Sequence, residues 1–204
     1  MKKILCYGDS NTYGFNPSDG SIFDENTKWT ALLQKNLEND YEIIEESMCD
    51  RTGFINNPKG FLYSAQRHFP KFISKTKNID ILILAIGTND LQTQYDISFS
   101  AIEKGLENLI VAAQEKVENI ILIPPVILSE TIFNGYFKNQ FDETSIIKSK
   151  KVIKTYKKMA KIYNCYIFDF NEIVVPSQID GLHYDAETHK IIAENLAKFI
   201  RKEK

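Results

Sequence analysis

The sequence is poor in the residues that most often carry chemistry. Its 204 residues include only three histidines and three cysteines, and Cys6, Cys49 and Cys165 lie far apart with no CxxC pair. An odd, scattered set offers neither a disulfide framework nor a cysteine-rich zinc site. Long hydrophobic runs are missing too. No stretch approaches the roughly 20 apolar residues of a spanning helix, and too few apolar residues follow Lys2 and Lys3 to make a secretory core. No membrane association and a cytoplasmic, reducing compartment are therefore expected. Neither sign of charge dominates, with 25 Lys and Arg against 27 Asp and Glu. Nucleic-acid binders show a basic excess, so no nucleic-acid partner is expected. The run Lys148-Ser149-Lys150-Lys151 reads as the solvated face of a helix. Linkers, low-complexity tracts and internal repeats are absent, which leaves one domain spanning 1–204.

What is present is the material of a core. The chain is 43% hydrophobic with thirteen Phe and ten Tyr, a composition that buries well. Short apolar runs at Lys3–Tyr7, Tyr41–Glu45, Ile79–Ile86, Asn119–Ile123 and Cys165–Phe168 are continuous rather than alternating, as in parallel strands covered on both faces. Between them, apolar residues recur at helical spacing over Lys28–Leu37, Leu62–Ile73, Ile97–Gln114, Ser145–Tyr163 and Ala186–Lys202, the last with Asp185 placed as N-cap. Five such repeats predict an α/β fold: three layers, α/β/α, around a five-stranded parallel sheet, doubly wound and flavodoxin-like. Two connections are long, Asn11–Thr27 and Val126–Thr144. The second carries Phe133, Tyr136, Phe137 and Phe141, suited to a pocket wall or to a subunit contact in a homo-oligomer.

Three blocks stand at the carboxyl ends of these segments, where α/β proteins place ligands. The first strand runs into Gly8-Asp9-Ser10-Asn11, which reads either as a capped turn or as a serine nucleophile facing a crevice. The third ends in Gly87-Thr88-Asn89-Asp90, where Asn89 is either a loop cap or a neutral donor to an oxyanion. Before the last helix stands Asp180-Gly181-Leu182-His183. An Asp and a His three apart on a tight loop can share an imidazole proton and leave the other ring nitrogen for serine. His68 and His189 have ordinary explanations in packing or solvent exposure. A metal site built from Asp180, His183, Asp185 and His189 has the wrong spacing, since the two histidines are six apart. No metal and no cofactor are expected, and neither a phosphate loop nor GxGxxG occurs.

Taken together and in this order, the blocks resemble the SGNH (GDSL-type) hydrolase superfamily of esterases and acyltransferases. Asn26-Thr27-Lys28-Trp29-Thr30 and the stretch Glu45–Thr52 are similar to its bacterial arylesterase/acyltransferase branch. The resemblance implies an ester hydrolase with Ser10 as nucleophile, His183 as base and Asp180 as its partner. It also implies an oxyanion hole made by the N–H of Ser10, the amide of Asn89 and the N–H of Asp50. The superfamily usually has a small residue at the last of these positions, and the adjacent Arg51 is a candidate to neutralise the Asp50 carboxylate. Asn11 stands where the GDSL label has leucine. Asp9, Tyr13, Phe15, Phe133 and Phe137 are the expected pocket residues. The implied reaction is hydrolysis of small acyl, acetyl-type esters through an acyl-enzyme, with acyl transfer as a further activity. Acetylated carbohydrates, lysophospholipids and thioesters are alternative substrates, and a non-catalytic ligand-binding relative is the alternative class.

Overall fold

The computed structural model describes residues 1–203. Five strands, β1 (Lys2–Gly8), β2 (Tyr41–Ser47), β3 (Ile81–Ala85), β4 (Asn119–Ile123) and β5 (Tyr166–Ile167), pair in the order β2-β1-β3-β4-β5. Every pairing is parallel. Ile4 to Tyr7, Ile81 to Leu84 and Ile120 to Ile123 are all buried, because helices cover both faces of the three central strands. β3 begins two residues later than its apolar run. The N–H of Asp80 bonds to Lys3 O, and its carboxylate takes the Lys3 N–H, which fastens the strand's entry. β5 is an edge strand of two residues, although the Phe168 N–H still reaches Leu122 O.

The crossover helices are α2 (Trp29–Leu37), α3 (Ala65–Lys75), α4 (Phe99–Gln114), α5 (Glu143–Ile162) and α6 (Ala186–Glu203), with a single turn α1 (Ser10–Tyr13) after β1. α2 packs against α6, while α3, α4 and α5 pack in series, giving the three layers. Helix ends follow local hydrogen bonding more closely than apolar periodicity. α3 starts at Ala65 rather than Leu62, because the Leu62 carbonyl is taken by Arg51 Nε and Leu62 itself is exposed. α5 starts at Glu143, where Asp142 and Ser145 form a capping box. In the lysine run, Ser149 is fully buried. It accepts from the Leu128 N–H and donates to Ile146 O, so it belongs to the helix's inner face. Asp185 caps α6 through the Thr188 N–H at 2.9 Å.

The order 2-1-3-4-5 reverses direction between β1 and β3. Ligands of doubly wound sheets bind in the crevice outside the strand ends at this point. Ser10 follows β1, and Asn89 follows β3. No helix is long and apolar enough to cross a membrane among the described residues.

Candidate active site

Ser10 opens α1, whose preceding residue Asp9 accepts the Asn11 N–H at 3.2 Å. Gly8 is required by close approach, since a Cβ there would lie 2.0 Å from Thr12 Oγ1 and 2.8 Å from Ala85 O. Ser10 Oγ donates to His183 Nε2 at 2.9 Å. His183 Nδ1 donates to Asp180 Oδ2 at 2.7 Å, and Asp180 Oδ1 accepts the N–H groups of Leu182 and His183 at 3.0 and 2.9 Å. All three side chains are buried. Burial works to raise the Asp180 pKa. It is outweighed by the hydrogen bond and charge of His183 and by the two backbone donors, so the value lies below the ordinary carboxylate range. An anion held this way fixes the imidazole tautomer and leaves Nε2 free to receive a proton.

Asn89 Nδ2 donates to Arg51 O at 3.1 Å, while Gln92 Nε2 donates to Asn89 Oδ1 at 3.2 Å, so Asn89's amide orientation is set from both ends. Beneath it, the Asp90 carboxylate accepts from the N–H groups of Gly53, Phe54 and Ile55, tying the loop after β2 to the loop after β3. Burial outweighs those donors and pushes the Asp90 pKa up to about 7.

Ser10, His183, Asn89 and Asp50 share a cavity of about 260 Å³ with Phe15, Phe137, Tyr136, Cys49, Lys59, Gln140 and Leu182. The Phe15 and Phe137 rings lie 4.3 and 5.2 Å from the His183 ring. Three residues expected in the wall lie elsewhere. Tyr13 is on the exposed side of α1, and the left-handed Gly14 (φ 88) turns the chain between it and Phe15. Phe133 packs on the core. Asp9 is buried behind Ser10 as a cap, and burial raises its pKa to about 6.

Arg51 is also not where the sequence reading put it. It is fully buried beneath the Tyr7 ring, donates to Glu46 Oε1, and makes main-chain bonds to Gly8, Glu46 and Leu62. The ion-pair partner of Asp50 is Lys59, at 2.7 Å. Sequence reasoning passed over Lys59, Gln92, Gln140 and the loop role of Asn11. The signal that was available is the turn sequence Asn57-Pro58-Lys59-Gly60, which can fold a lysine back onto an acid.

The other histidines are structural. The Tyr7 hydroxyl bonds to His68 Nδ1 at 3.1 Å, and His189 Nδ1 accepts the Trp29 N–H at 3.2 Å. Among the described residues, no group of three or more His, Cys, Asp or Glu side chains is gathered as metal ligands would be.

The chain is thus an α/β protein whose doubly wound sheet carries a hydrogen-bonded Ser, His and Asp at its switch point. The model of the GDSL-like lipase/acylhydrolase family matches residues 4–196; the chain belongs to that family and is an ester hydrolase. A carbohydrate acetylesterase family member from Sinorhizobium meliloti is 25% identical, with a TM-score of 0.90 over 99% of this chain and 98% of that one. The aryl esterase of M. smegmatis is 24% identical, with a TM-score of 0.90 over 99% of each chain, and shares the fold. No curated protein matches the chain.

Proposed function

We propose that this chain is a serine esterase for small, acetyl-type esters. The observation that carries the reading is the continuous hydrogen-bonded chain from Ser10 Oγ through the His183 ring to Asp180. His183 Nε2 takes the Ser10 proton as Oγ attacks the ester carbonyl. The carbonyl oxygen, now an oxyanion, receives the N–H groups of Ser10 and Asp50 and the Asn89 amide. His183 then protonates the departing alcohol, leaving Ser10 acylated. Water enters, gives its proton to His183 and releases the acid by the same steps reversed. The cavity of about 260 Å³ suits a short acyl chain better than a lipid tail.

The test is hydrolysis of p-nitrophenyl acetate by wild type and Ser10→Ala, with a fluorophosphonate probe mapped by peptide mass. Wild type should turn over and carry the adduct on Ser10, while folded Ser10→Ala should lose at least about 10⁴-fold in kcat. Wild-type turnover by Ser10→Ala sinks the reading. The apolar rings of Phe15 and Phe137 against His183 favour acyl transfer to an apolar or aryl alcohol as a second activity. An added acceptor alcohol should then yield its acetate at the expense of free acid. Aryl acetates and acetylated sugars, the classes named by the two similar structures, belong in the same substrate panel.

A further inference from the structure

Asp50 is the least expected residue of the site, and its surroundings carry an inference that rests on the acyl-enzyme reading above. Its backbone is left-handed, with φ 62, a conformation in which aspartate is tolerated far better than bulkier residues. It lines the same cavity as Ser10 and Asn89. A free carboxylate there would repel the negative charge that forms on the substrate oxygen, in a site partly shielded from water. The turn that follows folds back onto it from two sides. Asn57 Nδ2 donates to the Asp50 carbonyl at 2.8 Å, and Asn57 Oδ1 accepts the Lys59 N–H at 2.9 Å. That arrangement delivers Lys59 Nζ to Asp50 Oδ2 at 2.7 Å. Arg51, next in the chain, is committed to the Glu46 carboxylate and to three main-chain carbonyls.

We propose that Lys59 is a positioning residue for ester hydrolysis. It neutralises the Asp50 carboxylate so that the Asp50 N–H can serve the oxyanion without an opposing charge beside it. Lys59 touches neither Ser10 nor His183; it acts through Asp50. The pair is half exposed, with side-chain exposures of 57% and 41%, so it contributes little to folding. Its effect belongs to the transition state.

A double-mutant cycle on the full chain tests this, read by kcat and KM on p-nitrophenyl acetate, by the rate of fluorophosphonate labelling and by the melting temperature. Lys59→Met should lower kcat by about 10- to 100-fold with little change in KM, and should move the melting temperature by no more than about 3 °C. Lys59→Arg should retain most of the activity. In an Asp50→Asn background, where there is no carboxylate to neutralise, Lys59→Met should cost less than about 3-fold. Equal losses in both backgrounds, or no loss in either, overturn the proposal. Failure of wild type to label at Ser10 would instead remove the acyl-enzyme reading and this proposal with it. Normal Ser10 labelling with an indifferent Lys59→Met removes the Lys59 role alone.

Discussion

One hydrogen of the Asn89 amide is committed to Arg51 O, and the Gln92 amide bonded to Oδ1 opposes a flip of the group. In the proposed reaction the second hydrogen is the one that serves the oxyanion. Loss of one such donor costs about 10²–10³ in kcat in comparable sites. Asn89→Ala should show that loss on p-nitrophenyl acetate while remaining folded, and Gln92→Leu should lose about 10-fold, chiefly in kcat. A Gln92→Leu enzyme with wild-type kcat would show that the amide holds its orientation unaided. Asn11 has a comparable double role. Its Nδ2 donates to Leu182 O, its Oδ1 accepts the Tyr184 N–H, and its carbonyl accepts from Trp29 Nε1. The side chain that departs from the GDSL label therefore fastens the serine turn to both flanks of His183. Leucine would keep the main-chain bond to Trp29 and offer neither of the two side-chain bonds.

At the scale of elements, the long connection after β4 has two tasks. Phe137 and Tyr136 face the cavity, while the turn Glu130–Phe133 braces the Asp180–His183 loop. The Ser129 N–H bonds to Gly181 O at 3.0 Å, and Gly181 is left-handed with φ 69. A Cβ at Gly181 would lie 2.6 Å from the backbone Ile132 N and 2.7 Å from the side-chain oxygens Ser129 Oγ and Thr131 Oγ1. Gly181→Ala should therefore shift the loop and separate Asp180 from its ring contact. The expected outcome is a loss of about 1–3 kcal/mol in stability together with at least a 10-fold loss in kcat, measured by denaturant unfolding and steady-state assay. An active, equally stable Gly181→Ala protein would show that the brace is slack.

Across the whole molecule, buried titratable groups outside the serine–histidine–aspartate set tie stability to pH, among them His189, Asp9 and Asp90. Burial depresses His189 from 6.5 to about 4. Between those values the unfolded chain binds a proton that the folded chain refuses, so stability from this group is present above pH 6.5 and is lost as pH falls towards 4. Asp9 and Asp90, raised from 3.8 to about 6 and about 7, act in the opposite sense. The folded chain keeps their protons longer, and they cost stability as pH rises through that window. The His189 effect can be isolated with His189→Asn, which keeps an acceptor for the Trp29 N–H. Relative to wild type, this variant should gain about 2–3 kcal/mol of unfolding free energy between pH 7 and pH 4.5. Parallel pH–stability curves for the two proteins would contradict a buried neutral His189.

By itself the sequence determined the layers, the strand identities and the chain positions of Ser10, Asn89, Asp180 and His183. Burial on both faces writes a continuous apolar run into each central strand, and a reacting group at a strand end leaves a polar residue beside a glycine. It could not determine which residues meet across the chain. Adjacency along the chain points to Arg51 as the partner of Asp50. Tertiary packing gave that place to Lys59, by burying Arg51 under Tyr7 and bending the Asn57–Lys59 turn back to the cavity. Tyr13 and Phe15 likewise look equivalent until the left-handed Gly14 separates them. The three histidines, scarce enough to examine one by one, ended in three environments: a tyrosine hydroxyl for His68, a helix-start N–H for His189, and a serine with an aspartate for His183. Side-chain chemistry is local and legible in the chain, whereas electrostatic pairing and pocket lining depend on distances between segments far apart in it, and only the fold sets those.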